Sequence, residues 1–218
     1  MPATFAPTPG TPLKIVFMGT PALAAHILER LAAACADAGS AGFKLIGVVT
    51  RPDQPRGRGL RLEPSEVGAV AARIGLPMLK PAKLRGTDFV EQLRAWNPDL
   101  LVVAAYGRIL PDPVLAVARL MPINVHASLL PRHRGASPVE GAILAGDKAT
   151  GVTIMRITSR MDAGPLLLER AIPIAPDETQ GSLKTKLAEL GATMKVSDES
   201  RSALRGNRTS RVLRRQEE

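Results

Sequence analysis

The sequence predicts an α/β fold, with a mostly parallel sheet, antiparallel additions and helices on both faces. Three observations carry this prediction. Short apolar runs alternate with helical patterns, which is the signature of parallel strands joined by right-handed crossovers. After about residue 126 the pattern changes to alternating apolar and polar residues, as antiparallel strands with one solvated face require. Hydrophobic residues make up 45% of the chain but aromatics only 3%, so the core must be built from Leu, Val, Ile and Ala, which suits strands buried on both faces.

Each element follows from local chemistry. Residues Leu13 to Met18 (LKIVFM) form a first buried strand that ends at Gly19, Thr20 and Pro21. An Ala/Leu-rich helix to Cys35 follows, with Thr20 expected as its cap and Pro21 at its first position, where a missing N–H costs nothing. Phe43 to Thr50 and Leu100 to Ala105 read as further core strands, with helices from Ser65 to Ile74 and from Thr87 to Trp96 between them. Ile123 to His126 is a fourth core strand. Gly151 to Ile157 and Leu166 to Ile174 are the expected antiparallel pair, flanking a polar turn. Arg51 to Pro64 (RPDQPRGRGLRLEP) is dense in Pro, Gly and Arg and reads as a loop.

The 218 residues fit one α/β domain with tails. The expected organisation is a flexible N-terminus over 1–12, a folded domain over 13–193, and a basic, disordered tail over 194–218, where apolar periodicity collapses. One cysteine, Cys35, excludes an intrachain disulfide and points to a reducing cytoplasm. No run approaches the roughly 20 apolar residues of a membrane helix, and Met1 to Pro12 lacks the pattern of an export signal. The net charge of +9 fits a polyanionic partner and fits solvated basic faces equally well.

Ligands in open α/β sheets bind outside the carboxyl ends of the strands, where Asn124 and His126 fall. Two apart on a strand, they share a face, and an amide beside an imidazole can donate hydrogen bonds to an oxyanion. On these two residues alone, a hydrogen-bonded strand end explains them as well. Ser128 to Gly135 (SLLPRHRG) is too rich in turn formers to continue the strand and too apolar for an ordinary exposed loop. Asp162 lies in RMDAG, where Gly164 is expected to permit a tight turn. An aspartate there is ordinarily a turn former, and beside the other residues it becomes a candidate proton carrier. No His/Cys/Asp cluster has metal-ligand spacing, so no metal is expected.

The combination Asn124-x-His126-x-Ser-Leu-Leu-Pro, then Arg132-x-Arg134-Gly135, then Met161-Asp162-Ala163-Gly164 resembles the 10-formyltetrahydrofolate-dependent formyltransferases. Phe17 to Pro21, Arg51 to Pro55 with Gly57-Arg58-Gly59, and Ala105-Tyr106-Gly107 are similar to members acting on methionyl-tRNA, over roughly residues 13 to 193. The resemblance implies a Rossmann-like formyltransferase fold and transfer of a formyl group from 10-formyltetrahydrofolate, as cosubstrate, to the α-amine of initiator methionyl-tRNA. It implies Asn124 and His126 as oxyanion donors, with Asp162 orienting His126 and moving protons. Ser128, Leu129, Leu130 and Pro131, with Tyr106 and Gly107, would contact the folate, and Arg58 would contact tRNA. A monomer is expected.

Two features depart from this pattern. The RMDAG context is closer to relatives that formylate amino sugars. The chain also stops where the methionyl-tRNA members begin a second domain, and Lys195 to Glu218, with seven basic and four acidic residues, does not resemble them. Transfer to a small amine such as an amino sugar nucleotide or glycinamide ribonucleotide, hydrolysis of formyltetrahydrofolate, and a non-catalytic RNA-binding fragment therefore remain as alternatives.

Overall fold

The structure is a computed structural model that describes residues 11–36 and 42–193. The expected flexible N-terminus and basic tail lie outside the described residues, apart from residues 11 and 12. The chain divides into two compact units, Met1–Pro122 and Ile123–Glu218.

In the first unit, β1 (Leu13–Gly19) is followed by α1 (Ala22–Ala36), β2 (Phe43–Val49), β3 (Gln54–Arg56), β4 (Arg61–Glu63), α2 (Glu66–Arg73), β5 (Met78–Leu79), α3 (Thr87–Ala95), β6 (Leu100–Ala104) and α4 (Asp112–Leu115). Strands run in the order β5-β2-β1-β6, and every neighbouring pair is parallel. The continuous apolar runs are buried as parallel strands require: Val16, Phe17 and Met18 have no exposure, and all five residues of β6 are buried. Helix α1 packs against β1, β2 and β6, with α2 beside it. The side chain of Ser65 caps α2 by accepting from the Gly68 N–H at 2.9 Å, as its position before the helix predicts.

Two expectations are corrected in this unit. Thr20 does not cap α1; its hydroxyl donates to the Tyr106 carbonyl at 3.0 Å, and the Pro21 carbonyl accepts the Ala25 N–H at 3.0 Å. The Arg51 to Pro64 segment is not a bare loop, because β3 and β4 pair antiparallel as a hairpin, Gln54 opposite Glu63 and Arg56 opposite Arg61. Both strands are fully exposed, so no apolar alternation marks them in the sequence.

In the second unit, β7 (Met121–His126, which begins two residues before the boundary), α5 (Pro138–Leu144), β8 (Ala149–Arg156), β9 (Leu166–Pro173) and α6 (Gln180–Thr193) follow. The order β7-β8-β9 is antiparallel throughout, so the change of pattern in the sequence is a change of strand direction. Helix α6 packs against β8 and α5, seating Leu183 and Leu187 with at most 1% exposure. Its start is a reciprocal cap: the Thr179 Oγ1 accepts from the Ser182 N–H at 3.2 Å, and the Ser182 Oγ accepts from the Thr179 N–H at 3.1 Å.

Candidate active site

Strand β7 ends on the two residues that the sequence singles out. Its register against β8 sets Ile123 opposite Arg156 and His126 opposite Thr153, so the connection from β8 to β9 starts beside Ile123, one residue before Asn124. The Arg156 N–H donates to the Pro165 carbonyl at 2.9 Å, closing that connection into a loop which carries Asp162 back over the strand end. Gly164 is essential to the closure for a reason other than the expected turn. A Cβ there would lie 1.8 Å from the Arg156 carbonyl oxygen, and the left-handed residue is Asp162, at φ 44°. A non-glycine residue in that conformation costs about 1–2 kcal/mol, which its contacts must offset.

Those contacts assemble the cluster. The Asp162 Oδ2 accepts the Gly135 N–H at 2.8 Å, and Oδ1 lies 3.5 Å from the donating Asn124 Nδ2. The His126 Nδ1 is 3.9 Å from Asp162 Oδ2, and the His126 Nε2 bonds the His133 carbonyl at 3.1 Å. His126 is 6% exposed. A carbonyl only accepts, so Nε2 carries the proton in the neutral ring and Nδ1 turns its lone pair toward the carboxylate.

The loop after β7 is held from below. Thr153, fully buried, donates its hydroxyl to the Ser128 carbonyl at 2.7 Å and accepts the Leu130 N–H at 3.2 Å. Ser128 spends its own hydroxyl on the Arg132 carbonyl at 2.7 Å. Leu130 is buried, Leu129 half-buried and Pro131 exposed, with a cis bond between Leu130 and Pro131. Thr153 and Asp147 carry no mark in the sequence, whereas His133 and Gly135 lie in the SLLPRHRG segment.

The other residues that the sequence proposes, Tyr106, Gly107 and Arg58, lie in the first unit. Tyr106 is 2% exposed; burial pushes its hydroxyl above the ordinary value of 10.0, opposed by the charges of Arg108 and Arg51. Gly107 has φ 76°, and its carbonyl accepts from Arg51. Arg58 is exposed in the turn between β3 and β4, flanked by Leu60 and Leu62 at 73% and 71% exposure. Among the described residues, no group of three His, Cys, Asp or Glu side chains could hold a metal ion, and no helix is long and apolar enough to cross a membrane.

This architecture defines a class, the α/β proteins of formyltransferase fold. Glycinamide ribonucleotide transformylase 1 from Symbiobacterium toebii superposes with a TM-score of 0.69 at 22% identity, covering 87% of each chain. Phosphoribosylglycinamide formyltransferase from Bacillus halodurans superposes at 0.70 and 22% identity, covering 87% of this chain and 94% of its own. The chain belongs to the formyl transferase family, whose model matches residues 13–197. Two similar relatives are the methionyl-tRNA formyltransferases of Methylococcus capsulatus, 50% identical over 184 residues, and of Desulfotalea psychrophila, 48% identical over 181. These matches take in 84% and 83% of this chain but only 58% and 54% of the relatives, so the chain spans little more than half their length.

Proposed function

We propose that the chain carries the catalytic part of a methionyl-tRNA formyltransferase, moving the formyl group of 10-formyltetrahydrofolate to the α-amine of initiator methionyl-tRNA in support of translation initiation. The convergence of Asn124, His126 and Asp162 within hydrogen-bonding or ion-pairing reach at one strand end carries the reading. The 48–50% identity to relatives of that name supports the choice of acceptor.

In this reading the amine lone pair attacks the formyl carbon, and the carbonyl electrons collect on oxygen. The Asn124 amide donates to that oxyanion, and His126, once protonated at Nδ1, stabilises it with its positive charge. Asp162, fixed by Gly135, stabilises the proton that His126 Nδ1 takes up as the amine loses it. Collapse re-forms the carbonyl and breaks its bond to the folate nitrogen, which receives the proton. Ser128 to Pro131, with Tyr106 and Gly107, contact the folate. Arg58, exposed on a hairpin with Arg56 and Arg61, contacts the tRNA backbone. The steps need no metal, and a chelator should leave turnover unchanged.

The test is release of tetrahydrofolate with charged initiator tRNA, with an amino sugar nucleotide, with glycinamide ribonucleotide, or with no acceptor. Release dependent on charged tRNA is expected. Release with either small amine would move the acceptor assignment, and release without acceptor would make the reaction a hydrolysis.

A further inference from the structure

The His133 carbonyl that fixes the His126 proton is itself fixed by an unassigned cluster. His133 is a non-glycine residue at φ 52°, a backbone conformation that persists only where surroundings hold it. Its ring is tied by Nε2 to Asp147 Oδ2 at 2.7 Å, and Arg132 binds the other oxygen, Oδ1, at 2.5 Å. Asp147 is anchored in turn, its N–H donating to the Ala142 carbonyl at 3.1 Å as the chain leaves α5. The opposite side of the ring rests on Gly141 of α5, where an added Cβ would come 2.8 Å from His133 Nδ1. A glycine inside a helix is unfavourable, and the ring occupies the space that a side chain would fill.

We propose that Asp147 and His133, seated on Gly141, are positioning residues that hold the His133 carbonyl against His126 and thereby keep the His126 proton on Nε2 and its lone pair facing Asp162. This inference rests on the role given to His126 above. The carboxylate clamps two successive residues of the loop, so the carbonyl between the clamp and Gly135 has little freedom. Asp147 is suited to this task because the hydrogen bond from His133 and the charge of Arg132 hold its carboxyl below the ordinary 3.8, keeping it an acceptor at neutral pH. Arg134, next along the loop, is exposed, and Glu140 on α5 pairs with Lys184 and Gln180 of α6.

Two readouts test the proposal in the whole chain. The first is ¹⁵N NMR of histidine-labelled protein without substrate, which distinguishes Nε2–H from Nδ1–H tautomers. Wild type should hold His126 as Nε2–H; Asp147→Ala should mix the tautomers, and Asp147→Asn, which keeps an acceptor for the His133 N–H, should restore the single form. The second is kinetic. Asp147→Ala and Gly141→Ala should each lower kcat about tenfold while the folate KM changes by less than about twofold, since catalytic-group misplacement acts on turnover more than on binding. Gly141→Ala is informative because it favours the helix and removes no polar group. An unmixed Nε2–H tautomer in Asp147→Ala, or unchanged kcat in a folded Gly141→Ala, would overturn the positioning role. If wild type transfers no formyl group to any acceptor, the function assigned above fails, and the tautomer measurement still decides this inference.

Discussion

His126 meets two different demands at its two ring nitrogens. Nε2 faces a carbonyl and donates to it, and Nδ1 faces a carboxylate 3.9 Å away. Replacing the ring, the carboxylate or the amide should therefore strike turnover and not folding, since each side chain sits at a strand end or loop and not in the apolar core. His126→Ala, Asp162→Asn and Asn124→Ala should each lower kcat by about 10² to 10⁴-fold with unaltered circular dichroism; a soluble variant with near-normal kcat removes that residue from the mechanism. Asn124 and His126 were legible because a strand's period of two projects both to one side. Gly164 was noticed as a turn former, yet what it provides is room beside the Arg156 carbonyl. A backbone approach between residues eight apart leaves no mark in residue type beyond the glycine itself.

At the scale of elements, signal strength follows burial. The strands β1, β2 and β6 were legible as apolar runs, whereas the β3–β4 hairpin was not, because none of its side chains is buried. In the reading proposed above, its exposure leaves it free to meet a polyanion. Arg58→Ala should weaken use of charged tRNA, read as a higher tRNA KM, while binding of a folate analogue stays constant; the reverse pattern would assign the hairpin to the folate. Helix α6 also escaped the sequence reading, although Leu183, Leu187 and Leu190 recur at helical spacing, because Gly181 and Gly191 dilute its propensity. Leu183 is fully buried, so Leu183→Ala should cost about 2–5 kcal/mol, measured by urea unfolding. A loss under about 1 kcal/mol would mean that α6 is not seated on the sheet.

For the molecule as a whole, acid sensitivity should concentrate in the second unit. Asp147, held low by its His133 hydrogen bond, and Glu140 and Glu178, held low by hydrogen bonds from Lys184 and Lys186, all lie below their ordinary values of 3.8, 4.5 and 4.5. Lowered folded-state values mean that these carboxylates contribute fully above their ordinary values and lose that contribution as pH falls through the lowered ones. The urea midpoint should hold steady down to 4.5 and decline below it, and a midpoint that rises on acidification would contradict these pairings.

The sequence by itself determined the α/β class, the strands of the core and the place where strand direction changes, because burial and periodicity are local properties written in residue type; it grouped Asn124, His126 and Asp162 only through their resemblance to a family motif. Only the tertiary structure decided how Asp162 reaches His126, which ring nitrogen holds the proton, and why residues 133, 141 and 147 matter to it. Those facts depend on strand register, on a loop closing upon itself and on a carbonyl's direction, which arise from packing between segments far apart in the chain.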